Sequence, residues 1–141
     1  MKLSKNLTLA EAIKSNTATR LGIDNNPTQE HLENMKLVAE KIFQPIREYF
    51  SVPIGVSSMY RSEALNKAVR GSKTSQHCKG QAIDIDADIF GGITNNDIYS
   101  YVLGNLDFDQ LISEYGTEDN PAWVHISYKK DGNRKQVLRI K

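Results

Sequence analysis

The run Ala82-Ile83-Asp84-Ile85-Asp86 alternates apolar and acidic side chains, the period of a strand with one face in a core. It constrains the fold more than any other stretch. Asp84 stands among residues that favour burial, and an unpaired buried carboxylate is costly. Such a strand must bring a partner to Asp84. His77 lies upstream, and Gly80 between them lets the chain turn from a loop into the strand. A second imidazole, His125, sits in Trp123-Val124-His125-Ile126-Ser127-Tyr128, again among apolar neighbours. Two imidazoles and one carboxylate form a facial set that leaves a zinc ion an open position for water. Each residue also has an ordinary structural reading. His125 suits a hydrogen-bonded core histidine, Asp84 a salt-bridge partner, and His77 an exposed loop. Spacing alone leaves both readings open.

The rest of the chain is read around that segment. Its 141 residues fit one domain, 1–141, with a core that needs no disulfide staples. The single cysteine, Cys78, excludes an intrachain disulfide and a multi-cysteine zinc cage. Thr8-Leu9-Ala10-Glu11 fits a capping box that opens a short helix to about Lys14. Residues 15–28 are polar, with Gly22, Asn25, Asn26 and Pro27, and read as an extended loop packed by Leu21 and Ile23. The strongest helix spans about Gln29 to Phe50, with Thr28 as N-cap. Leu32, Met35, Val38, Ala39, Ile42, Phe43, Ile46 and Phe50 fall on one face. Pro45 is expected to kink or split it near Gln44.

Ile54 to Met59 reads as a strand, and Ser62 caps a short helix to about Val69. Thr94 to Asp97 opens another helix, ending near Leu103. Strand-like runs follow at Gln110–Tyr115, Trp123–Tyr128 and Gln136–Ile140. Asp131-Gly132-Asn133 is turn chemistry, which predicts a hairpin between the last two. Helices dominate the first third and strands the rest. The predicted class is therefore α+β, with helices packed on a central, mainly antiparallel sheet.

The complete segments resemble the zinc D-alanyl-D-alanine peptidase family, which shares its fold with the hedgehog signalling domain. The family pattern Ser-x-His-x-x-Gly-x-Ala-x-Asp is matched by Ser75, His77, Gly80, Ala82 and Asp84, and its later Trp-x-His by Trp123 and His125. Ser57-Ser58-Met59-Tyr60-Arg61-Ser62 resembles the Ser-Gly-Tyr-Arg-Ser segment, with Met59 in place of the glycine. Phe108 to Glu114 resembles the strand before the last ligand. Arg20-Leu21-Gly22-Ile23-Asp24-Asn25 is similar to the amino-terminal lead of small phage and prophage members. The resemblance implies one zinc ion held by His77, Asp84 and His125. It also implies cleavage of peptide bonds in the peptidoglycan stem beside a D-amino acid, as a D,D-carboxypeptidase or an L,D- or D,D-endopeptidase.

A peptidase of this kind needs a base for water and a cation for an oxyanion or a carboxylate. Some family members carry an acid three residues before the last histidine, where this chain has Ala122. Glu114, on a buried strand expected beside the His125 strand, is the candidate base, and Glu118 and Asp119 are alternatives. Arg61, at a strand end before a capped helix, is the candidate cation, because its forked donors suit a carboxylate. Tyr60, Ser75, Gln76 and Trp123 are candidate substrate contacts. Asp86 shares a strand face with Asp84 and is a candidate to orient a ligand. Cys78 reads as a small buried group and His31 as a solvated helix residue.

The competing reading is a non-catalytic zinc-containing module that binds cell-wall peptides, for example a phage structural domain; Ala122 keeps it open. A hydrolase using Cys78 as nucleophile is the weakest reading. Lys and Arg number 18 against 17 Asp and Glu, a balance that gives no support to nucleic-acid binding driven by bulk charge. No apolar run is long enough for a signal peptide or a membrane span. The expected protein is a monomer made in the cytoplasm. It reaches the wall after release by a holin or on lysis, or acts as a cytoplasmic dipeptidase.

Overall fold

The periodic segment after Thr28 becomes the spine of the helical layer in a computed structural model that describes residues 1–141. It begins as α3, Gln29–Val38, capped by the Thr28 hydroxyl. Pro45 acts as expected: the spine is interrupted by a π-helical turn at Ala39–Phe43 and resumes as α4, Gln44–Phe50. A proline has no N–H to return to the preceding turn, so the ladder changes just before it. Met35, Val38, Ala39, Ile42, Phe43 and Ile46 are all buried along one face.

Two amino-terminal elements lie outside the sequence expectations. Lys2–Ser4 (β1) and Leu7–Thr8 (β2) form a small antiparallel hairpin that buries Leu3 and Leu7. The Gln44 carboxamide on α4 holds it, accepting from Ser4 Oγ and Asn6 N. The capping box at Thr8 opens α1, Leu9–Ile13. The segment read as an extended loop contains α2, Asn16–Leu21. Its stop signals are local rather than periodic. Ser15 caps one end, and Gly22, at φ 66, closes the other.

The central sheet has five strands in the order β3-β4-β6-β5-β7. They are β3 (Val56–Ser58), β4 (Ala82–Ile85), β5 (Gln110–Glu114), β6 (Trp123–Ser127) and β7 (Gln136–Ile140). Helices α5 (Glu63–Ala68) and α6 (Asn95–Asn105) start at the predicted caps Ser62 and Thr94. The pleat sorts the side chains. Ile83, Ile85, Leu111, Val124 and Ile126 enter the core with the α3–α4 residues. Their neighbours Asp84, Ile112, Glu114, Trp123 and His125 fall on the opposite face.

The expected hairpin between the last two strands does not form. β7 pairs in parallel with β5, and all other pairs in the sheet are antiparallel. The turn residues do act locally, because Asn133 bonds the Lys129 backbone at both N and O. What redirects the chain is non-local. Arg134 clamps the buried Asp109, and the Lys135 and Gln136 amides donate to the Phe108 and Asp109 carbonyls. This carries the chain past β5 to its outer edge. No helix is long and apolar enough to cross a membrane.

Candidate metal centre

His77 lies on a 3₁₀ turn, Gln76–Lys79, just before β4. The Ser75 hydroxyl caps the turn, and Gly80 ends it at φ 73. A side chain at Gly80 would also strike the chain opposite: a Cβ there would lie 2.4 Å from the His31 carbonyl oxygen. Only glycine lets the turn pack this closely against α3. The His77 ring is 2% exposed, and its Nδ1–H donates to the Met59 carbonyl. That bond orients the ring and turns Nε2 toward Asp84, at 3.3 Å from Oδ1.

Asp84 and His125 are direct cross-strand partners on β4 and β6. Their spacing is 2.9 Å between Oδ1 and Nδ1, and the two imidazole rings stand 5.1 Å apart. Burial pushes the Asp84 carboxyl up. The two imidazoles outweigh it and hold the group well below the usual carboxylate range. One nitrogen from each imidazole and one carboxylate oxygen lie within 4.8 Å of one another. Two neutral nitrogen donors and one anionic oxygen, with a backbone carbonyl behind His77, fit a single zinc ion and its supporting shell.

Glu114 reaches this face from β5, where it pairs with Trp123. Its Oε2 is 4.0 Å from His125 Nδ1, and its side chain is 16% exposed. Burial and then the Asp84 charge push its pKa up, while His125, Trp123 and His77 favour the charged form. The alternatives fare differently. Glu118 and Asp119 are exposed in the β5–β6 loop and do not line this cleft. Ala122 contributes backbone only, donating to the Glu114 carbonyl and accepting from Asn95.

A cleft of about 930 Å³ opens over the three residues. Arg61, Ser75, Gln76 and Trp123 line it together with Glu114. The Arg61 amide donates to the His77 carbonyl, and its Nη2 is 3.4 Å from Ser75 Oγ. Tyr60 is placed elsewhere. It is 5% exposed in the core, and its hydroxyl meets His31 Nδ1 at 3.2 Å, so it is not a wall of this cleft. The same contact corrects His31, which is half-buried rather than solvated. Asp86 does not face the candidate ligand group. Its Oδ1 caps the turn at Ala87–Ile89 and accepts from Asn95. Cys78 is half-buried outside the ligand group, and burial pushes its thiol up.

Sequence reasoning missed Asp109, Lys129 and Arg134, which also line the cleft. Asp109 carried a readable signal, a carboxylate set between buried Phe108 and an apolar strand. Its partners lie 20 and 25 residues away, which no local pattern reveals.

An α+β fold whose central sheet and the turn before β4 bring two histidines, an aspartate and a nearby glutamate into an open cleft is the frame of a single-metal metallopeptidase. The chain belongs to the Peptidase M15 family, the zinc D-Ala-D-Ala peptidases, whose pattern matches residues 5–127. No curated protein matches the chain.

Proposed function

We propose that this protein is a zinc peptidase that hydrolyses peptide bonds of the peptidoglycan stem beside a D-amino acid. One observation carries the reading: the Glu114 carboxylate stands 4.0 Å from a His125 nitrogen that belongs to the three-atom ligand group. His77, Asp84 and His125 would hold the metal. Bound zinc supplies Lewis acidity toward water and toward a carbonyl oxygen. Glu114 takes the proton from water at a carboxylate oxygen and passes it to the leaving amine. Arg61 meets a substrate carboxylate or the developing oxyanion through its forked donors. Ser75, Gln76 and Trp123 line the peptide's path. The protein acts as a monomer on wall peptide, reached after release or lysis.

The test is digestion of purified peptidoglycan from several bacteria, with and without a chelator, read by mass spectrometry. New free amines and shortened stem peptides that vanish with the chelator are expected, and the products identify the bond cut and the endo or carboxy mode. Glu114→Gln should keep its zinc and lose about 10²–10⁴-fold in turnover.

Ala122 favours a second reading, a zinc-bearing module that binds wall peptides without cleaving them. Zinc-loaded protein that binds stem peptides and releases nothing from any wall would establish it.

A further inference from the structure

Four buried side-chain polar atoms have no hydrogen-bond partner: Arg61 Nε, Asn66 Oδ1, Gln76 Oε1 and Trp123 Nε1. Three of them belong to residues that line the metal cleft. Buried polar groups are normally paired, so this concentration points to a ligand that pairs them. The three ask for different chemistry. Arg61 Nε is a donor that needs an acceptor, whereas the Trp123 indole N–H already faces the Glu114 carboxylate. Gln76 Oε1 is an acceptor and needs a donor.

The sense of the Gln76 amide is fixed from behind. Its Nε2 lies 3.1 Å from Asp109 Oδ2 and 3.4 Å from Gln81 Oε1, so both hydrogens have acceptors. The reversed amide would set Oε1 against a carboxylate, which can only accept. Asp109 has its own partners. Its side chain is 0% exposed and takes Arg134 Nε at 3.0 Å, Arg134 Nη2 at 2.8 Å and the Arg134 backbone N–H at 2.9 Å. Lys129 Nζ stands 3.6 Å away. None of these contacts depends on Gln76, so the carboxylate is held in place whether or not the cleft is filled.

We propose that Gln76 is a specificity-determining residue that accepts a hydrogen bond from one backbone N–H of the bound peptide. Asp109 is the positioning residue that holds the amide in that sense. The inference rests on the peptidase reading and deepens it. A fixed acceptor distinguishes an amide from an ester of the same shape, because the ester offers oxygen where the amide offers a donor. The discrimination arises from an acceptor facing a lone pair, so it belongs to one linkage of the peptide.

The experiment uses zinc-loaded full chain and synthetic stem peptides in which each backbone N–H is replaced in turn by oxygen. Binding is measured by calorimetry and cleavage by mass spectrometry. One ester position should weaken wild-type binding about tenfold. Gln76→Met should remove the penalty at that position. Asp109→Asn should reduce it too, because an asparagine amide there can donate to Oε1 and release the lock. Nitrogen NMR of the Gln76 side chain separates this from general loosening. Its N–H pair should be protected from exchange in the wild type and released in Asp109→Asn, with zinc content unchanged. Cleavage with no penalised position, or a penalty that survives in Gln76→Met, overturns the inference and leaves the peptidase reading standing. A wild type that neither binds nor cleaves any of the peptides overturns both.

Discussion

Gly80→Ala is the substitution that most directly tests how the site is built. Gly80 closes the turn that carries His77 and leads into the strand that carries Asp84. Two costs add at this position. The first is conformational, since φ is 73 and an L-residue in the left-handed region loses about 1–2 kcal/mol. The second is steric. A Cβ would stand 2.4 Å from the His31 carbonyl oxygen and 2.8 Å from Met35 Cγ. The His31 backbone is part of α3 and cannot yield cheaply, and overpacking of this kind costs about 1–3 kcal/mol. The sum is about 3 kcal/mol. For 141 residues, an unfolding entropy of about 0.3 kcal/mol/K turns that into a melting shift of about 10 °C. Gly22→Ala supplies the control. Its φ is 66, nothing lies within 4 Å of the added Cβ, and only the conformational cost applies. It should lose about 3–7 °C. Thermal denaturation of both variants, followed by zinc titration, is the assay. Gly80→Ala should melt lower than Gly22→Ala and bind zinc more weakly, because the turn beneath His77 has to move. Equal melting shifts would refute the close-approach argument, and unchanged zinc affinity would show that the turn does not place His77.

Other outcomes follow from the same geometry. Zinc at one hundred times its dissociation constant should stabilise the protein by about 2.7 kcal/mol, a rise of about 9 °C, and His125→Ala should abolish most of that rise in a melting assay. Hydrogen bonds from Arg134 hold the Asp109 carboxyl well below its ordinary value, against the upward push of burial. A depressed folded-state pKa gives stability that is present above the unfolded value, near 4, and is lost as pH falls below it. Asp109→Asn should therefore melt lower than wild type at pH 7, and the gap should narrow as both are titrated below about pH 4. A gap that stays constant with pH would mean the pair contributes shape rather than charge.

The features legible in the sequence were those written in local periodicity. The apolar face of α3 and α4, the cap residues Thr8, Thr28, Ser62 and Thr94, and the alternation around Asp84 each follow from neighbours within a few residues. Helix α2 escaped because its apolar content is slight and its boundaries are set by Ser15 and Gly22 alone. The parallel strand β7 escaped for a different reason. Its turn residues suit a hairpin, and the partner is chosen instead by Asp109, which holds Arg134 from 25 residues away. Tyr60 was misplaced because a motif gives order along the chain and not facing. Its ring turns into the core while the Arg61 beside it turns to the cleft.

The position of the proposed base follows from facing as well. An acid three residues before the last histidine is missing here, and Ala122 offers only its backbone. The sheet provides a second route to the same volume. His125 pairs with Ile112, and Trp123 pairs with Glu114, so Glu114 lies diagonally from His125 on the same face. A strand's side chains alternate with a period of two, so one residue of slip between β5 and β6 would send Glu114 toward the core and bring Ser113 to the cleft. The core forbids that slip, because Leu111, Val124 and Ile126 are all fully buried on the other face. The same apolar alternation that stabilises the sheet therefore fixes which acid reaches the candidate ligand group. A base carried on β5 needs no acid in the β5–β6 loop, whose carboxylates Glu118 and Asp119 can then remain exposed to solvent.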